Sequence, residues 1–205
     1  DLVEGLDILA SLRGAQNLMM DLVMRPEWVH EKLREINEAW FAVFERVYEL
    51  IKGEDGGCIY DGFHLWAPGT MAKLQVDVGA MISPAMWREF STPYLKEQCA
   101  RLDYSVFHLD GTQCIVHLDN LLDIEDLDAI EWTPQAGEPA GGSRKWYGLY
   151  RRILDGGKSV QAIDVEPEEV VPLLDAVGPK GMFICTRFES PRQAEDLLAR
   201  VEAYR

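Results

Sequence analysis

The 205 residues carry 35 Asp and Glu against 20 Lys and Arg, a formal net charge of −15. Such a surface repels nucleic acid and anionic membranes, and it disfavours a polyanionic substrate unless a local arginine cluster overrides the field. A hydrophobic share of 47% and a charged share of 27% are ordinary for a globular chain with one sizeable core. No apolar run approaches the roughly 18 residues of a membrane span. Cys58, Cys99, Cys114 and Cys185 are scattered, with no C-x-x-C pair, which suits reduced thiols in a cytoplasm. The opening residues show no secretory leader and no initiator Met, and they read as the middle of a protein.

Residues 6–24 are apolar at helical spacing, with Gly14 as a break. Pro26 suits the first turn of a second helix. Val29, Leu33, Ile36, Trp40, Val43, Phe44, Val47 and Ile51 continue that helix along one face, and Gly53 closes it. Residues 57–61 read as a short strand ending in Asp61. A long loop follows, carrying His64, Trp66 and Asp77, and it is placed to line a site. Ser83-Pro84 caps a helix running to about Arg101.

Ser105–Asp110 is a buried strand running into the Gly111 turn. His108 and Asp110 are two residues apart on it, so they share one face. A histidine and a carboxylate so placed can bind a metal, move a proton, or simply hydrogen-bond at the strand's end. Residues 114–122 form a short helix and 129–132 a strand. The glycine-rich stretch 135–143 reads as a flexible loop. Trp146 to Leu154 is helical, 159–165 is a strand containing Asp164, and Pro167 opens another helix. Residues 182–185 are the last strand, and Ser190 with Gln193 forms a capping box for the last helix.

Helices and strands alternate without a composition break, which predicts one α/β domain over 1–205 with a parallel sheet of five strands. Each strand closes near a polar residue: Asp61, Asp110, Glu131, Asp164 and Cys185. In parallel barrels the carboxyl ends of the strands carry the active site. Trp66 and Trp132 are expected as pocket walls or core rings. His30, His64 and His117 are expected as ordinary surface or loop residues, and Cys58, Cys99 and Cys114 as buried small residues.

Three stretches in order carry a resemblance: Leu6 through Leu22, Asp77 through Lys96 with its Ile82-Ser83-Pro84 start, and Phe107-His108-Leu109-Asp110-Gly111. They resemble the uroporphyrinogen decarboxylase superfamily, which includes corrinoid-dependent methyltransferases. The resemblance implies a (β/α)8 TIM barrel of which this chain holds strands 4–8 and their helices, with strands 1–3 missing. It further implies a homodimer, or completion by the missing N-terminal strands, since a five-stranded remainder leaves open parallel edges.

Two mechanisms follow from the resemblance. In the favoured one, zinc held by His108, Asp110 and Cys185 lowers the pKa of a small thiol substrate, and a corrinoid protein supplies the methyl group. Asp110 stands where that branch carries a cysteine. In the alternative, uroporphyrinogen loses carbon dioxide without any cofactor. Asp61, Asp110 and Asp164 are then the candidate catalytic acids. Asp77, Trp66, Glu131, Trp132 and Arg187 are the candidate substrate contacts in either case. A third reading is a non-catalytic ligand-binding or assembly module.

Overall fold

A computed structural model describes residues 2–3 and 5–204 of the chain. It opens with three helices, α1 (Gly5–Arg13), α2 (Ala15–Met24) and α3 (Pro26–Ile51). Gly14 separates the first two with φ 82°, a left-handed backbone that glycine adopts without steric cost. Pro26 begins α3, where its missing N–H is no loss. The expected apolar face is real in the first half of α3, where Val29, Leu33 and Trp40 are buried.

Next come two short strands, β1 (Cys58–Tyr60) and β2 (Leu65–Ala67), and then β3 (Met71–Gln75). Here the structure corrects the sequence reading twice. β1 is not the first strand of the parallel sheet, because it pairs antiparallel with β2, Ile59 opposite Trp66. The first parallel strand is β3, inside the stretch expected to be loop.

Helices α4 (Pro84–Phe90) and α5 (Thr92–Arg101) then replace the single expected helix. The Ser83 hydroxyl caps α4 by accepting from the Met86 N–H at 3.2 Å. The remaining elements are β4 (Tyr104–Asp110), α6 (Leu118–Leu122), β5 (Ala129–Thr133), α7 (Tyr147–Asp155), β6 (Ser159–Ala162), α8 (Pro167–Val177), β7 (Met182–Ile184) and α9 (Pro191–Val201). Strands β3 to β7 form a five-stranded parallel sheet in chain order, flanked by helices. No helix among the described residues is long and apolar enough to cross a membrane.

The chain packs as two compact units. The first runs to His108 and takes in Gln113–Asp128; the second comprises Leu109–Thr112 and the residues from Ala129 on. In the first, Leu18, Leu33, Leu74, Trp87, Phe90 and Phe107 are the fully buried centre. The Asp7 carboxylate of α1 accepts the backbone N–H groups of Asp77 at 2.8 Å and Val78 at 2.9 Å. It thereby fixes the 3-10 turn Asp77–Met81 that follows β3.

The second unit is centred on Trp132, Tyr150, Ile153, Val160 and Leu173. Its stretch 135–143, expected to be flexible, is pinned instead. The Trp146 indole donates to the carbonyls of Pro139 and Ala140, and the Tyr150 hydroxyl to that of Gly141 at 2.6 Å. Ser190 caps α9, but Gln193 reaches the N–H of Glu189 at 2.9 Å, one residue before the cap itself. A reciprocal capping box occurs at Glu166 and Glu169, where α8 starts.

Candidate functional site

The carboxyl ends of the parallel strands carry polar side chains in both units. In the first unit, β3 and β4 run in parallel with Lys73 opposite Val106 and Gln75 opposite His108. Side chains two apart on a strand share a face, so Lys73, Gln75 and His108 point the same way. Lys73 is buried although its strand neighbours offer mostly apolar cover. Its ammonium donates to the Gln75 side-chain oxygen. The Gln75 amide in turn donates to the Asp77 carboxylate at 2.9 Å. The result is a relay of donors and acceptors leading from a buried cation to the loop beyond the strand.

His108 stands beside that relay, half-buried at the end of β4. The ring of Phe63 lies against its imidazole, with centroids 5.1 Å apart and tilted by 46°. Tyr60 meets Phe63 edge-on at 5.3 Å. Phe63 reaches this position because the β1–β2 connection is a tight 3-10 turn closed by His64, which takes a left-handed φ of 55°. Asp61 begins that turn and is exposed. Trp66 is 59% exposed, so it lies on the surface of the hairpin and not in the core.

In the second unit, Glu131 of β5 is completely buried and lies in register with Gln161 of β6. The Thr133 hydroxyl donates to the Glu131 carboxylate at 2.8 Å. The Gln161 amide donates to the Cys185 sulfur at 3.4 Å. Burial pushes the Cys185 thiol above its ordinary pKa; the Gln161 hydrogen bond opposes this, while the Glu131 and Asp164 carboxylates add to it. Cys185 is therefore a neutral thiol near pH 7 in this state. Asp164 lies just past β6 at φ 51° and faces Arg187 at 3.6 Å, both in solvent. An exposed pair at that distance contributes little to stability.

Several sequence expectations change at this level. Trp132 cannot wall an accessible pocket: it is fully buried, edge-to-face with Trp146 at 4.9 Å. His117 is not a surface residue. Its ring is fully buried and stacked on Trp87 at 4.2 Å, and Nε2 lies 2.8 Å from the Gly79 carbonyl. A carbonyl only accepts, so Nε2 carries the proton. His30 is half-buried, with Nδ1 3.2 Å from the Tyr94 hydroxyl and its ring stacked on Phe90. Cys58, Cys99 and Cys114 are buried and outside disulfides, as expected.

Asp110 is exposed at the end of β4 and belongs, with Cys185, to the second unit; His108 belongs to the first. Among the described residues, no group of three or more His, Cys, Asp or Glu side chains is gathered closely enough to hold a metal ion.

Sequence reasoning missed Lys73, Gln75, Phe63 and Gln161. The spacing of Lys73, Gln75 and Asp77 by twos was the available signal for the first pair. No family model matches the chain, and no curated protein matches it.

Proposed function

We propose that this chain is an acid–base enzyme of the uroporphyrinogen decarboxylase superfamily, acting on a carboxylate-bearing ring substrate at the carboxyl ends of the parallel strands. The observation that carries this reading is the buried Lys73 side chain, which donates to Gln75 on the face of β3 that is in register with His108 of β4. The carboxyl ends of parallel strands are where barrels carry their chemistry, and His108 stands near such an end, on β4. Support for the superfamily comes from the three sequence stretches of the resemblance. In this reading the five strands are the later part of a (β/α)8 barrel.

The chemistry is the loss of carbon dioxide from an acetate side chain on an electron-rich ring. A general acid protonates the ring carbon that bears the side chain. The bond to the carboxylate breaks, its electron pair flows toward the ring, and carbon dioxide leaves. The methylene carbon then takes up a proton and the ring carbon gives back the one it received, which restores the ring, so one net proton is consumed for each carbon dioxide released. His108 is the proton carrier in this scheme and Lys73 the partner of a substrate carboxylate. Asp61 and Asp77 of the first unit are further acids in this scheme.

Cysteines held outside disulfides favour a reducing, cytoplasmic setting. The experiment is to incubate the protein with uroporphyrinogen and follow carbon dioxide release and coproporphyrinogen formation. Lys73→Met should raise KM at least tenfold, since a charged hydrogen bond to substrate is worth about 1.5–3 kcal/mol. No product from the wild type, or an unchanged KM in the variant, overturns the reading.

The methyl-transfer reading rests on the sequence resemblance, with His108 and Cys185 as its expected ligands. Elemental analysis of purified protein decides it: stoichiometric zinc, lost in His108→Ala, would promote that branch, with a corrinoid protein as partner.

A further inference from the structure

The β1–β2 hairpin has a buried base, where Cys58 pairs with Ala67, and a tip running from Asp61 to His64. Asp61, Gly62 and His64 of that tip are exposed, while Phe63 is turned inward and half-buried. What Phe63 meets is the imidazole of His108, with ring centroids 5.1 Å apart. The backbone aims it there. The 3-10 turn closes through the His64 N–H, which donates to the Asp61 carbonyl at 3.0 Å, and His64 takes a left-handed φ of 55°, a conformation that costs a non-glycine residue. Tyr60 backs Phe63 edge-on, and a Cβ added at Gly62 would stand 3.2 Å from the Tyr60 ring, so glycine lets that ring lie close on the turn. Tyr60, Phe63 and His108 thus form one row of rings from the hairpin to the end of β4.

We propose that Phe63 is a positioning residue for His108: its flat ring packs on the imidazole and fixes the plane in which the ring nitrogens meet the substrate. This rests on the reading of His108 as the proton carrier. The outer torsion of a histidine is broad and soft, so the orientation of its ring is set by what packs against it. Proton transfer works only with donor and acceptor within about 2.6–3.2 Å, and a misplacement of about 1 Å costs on the order of 100-fold in rate. A phenyl ring suits this task because it carries no hydrogen-bonding group. It restrains the imidazole without competing for the nitrogens that carry the proton.

Ring mobility tests this without any substrate. The chain has four histidines, so carbon-13 labelling of histidine alone gives a simple spectrum, assigned by single His→Gln variants. His117, fully buried and stacked on Trp87, is the rigid reference, and exposed His64 the mobile one. The order parameter of the His108 ring should lie near that of His117, about 0.85, and fall below about 0.6 in Phe63→Ala, while His117 stays unchanged. A His108 ring as mobile as His64 in the wild type, or one that stays rigid in Phe63→Ala, overturns the proposal.

Kinetics with uroporphyrinogen give the second readout. Phe63→Ala should lower kcat roughly 10- to 100-fold and leave KM within about twofold, because Lys73 and not Phe63 holds the substrate carboxylate. Phe63→Tyr keeps the flat ring and should restore kcat to within about threefold of the wild type. Phe63→Leu keeps apolar bulk at the hairpin tip without a flat face. It should retain the wild-type melting curve and still lower kcat at least about threefold, which separates positioning from mere anchoring of the hairpin. A raised KM with unchanged kcat in Phe63→Ala would make Phe63 a substrate contact and overturn the proposal, as would full activity in Phe63→Leu. A wild type without activity overturns the decarboxylase reading alone, and the order parameters then still decide whether Phe63 orients His108.

Discussion

Asp7 is the residue whose removal tests most directly how the first unit holds its strand-end loop. It projects from the first turn of α1, is almost fully buried, and accepts two backbone hydrogen bonds from the turn after β3, 70 and 71 positions away. A hydrogen bond to an ionised group contributes about 1.5–3 kcal/mol net. In Asp7→Ala the N–H of buried Val78 loses its partner with no water to replace it, while the N–H of exposed Asp77 is solvated again. Those two contributions together give about 3 kcal/mol of lost stability for the turn. Asp7→Asn keeps one acceptor oxygen but turns an amide donor toward the second N–H, so about 2 kcal/mol is expected. Amide hydrogen exchange reads this locally. Exchange at Val78 should rise on the order of 100-fold in Asp7→Ala, with the α7 amides of the second unit unchanged. If exchange at Val78 moves by less than about threefold, the carboxylate is not what orders the turn, and the reasoning fails.

Two further perturbations have a clear sign. Burial lowers the pKa of His117 below its ordinary 6.5, with the hydrogen bond to Gly79 opposing the shift. The folded state therefore binds this proton less readily than the unfolded chain. The stability that follows is fully present above pH 6.5 and is lost as the pH falls from there toward the lowered folded value. A His117→Gln protein should show a flatter stability profile across that window in urea titrations, and an unchanged slope would refute the assignment. Gly141 approaches the backbone so closely that an added Cβ would sit 2.1 Å from the Ile163 carbonyl oxygen. Gly141→Ala should cost at least the ~1–3 kcal/mol of an overpacked site and release the Tyr150 hydroxyl bond, measurable as a drop in melting temperature; a neutral result would show that the loop shifts freely.

Much of the chain's organisation was legible because local chemistry and tertiary role agree. Pro26 and Ser83-Pro84 mark helix starts through backbone rules that no packing alters, and the alternation of helices with strands from Ser105 onward carries the parallel sheet. The failures cluster where they conflict. Cys58-Ile59-Tyr60 has stronger strand chemistry than Met71-Ala72-Lys73-Leu74-Gln75, yet the second is the sheet strand and the first a hairpin arm. Propensity measures fit to a half-buried apolar surface. A strand that turns a lysine and a glutamine toward the polar ends of its sheet scores poorly on that measure, for the reason that makes it interesting.

His117 and Trp132 show the same conflict from the other side. A histidine is commonly exposed, but here a tryptophan face and one carbonyl, contributed by residues 30 and 38 positions earlier, are enough to bury it as a neutral ring. Trp132 follows a strand-end glutamate, and of its two expected roles, pocket wall or core ring, it takes the second. The alternation of a strand sends the two to opposite faces, the indole to Trp146 and the carboxylate to Thr133. Parity along a strand thus separates packing residues from polar ones more reliably than nearness in sequence does. Applied to β3 and β4, the same parity places Lys73 and Gln75 with His108 and leaves Leu74 and Phe107 to the core. Those two sets, one polar and one apolar, are what a sheet must present if one face is to carry chemistry while the other holds the fold together.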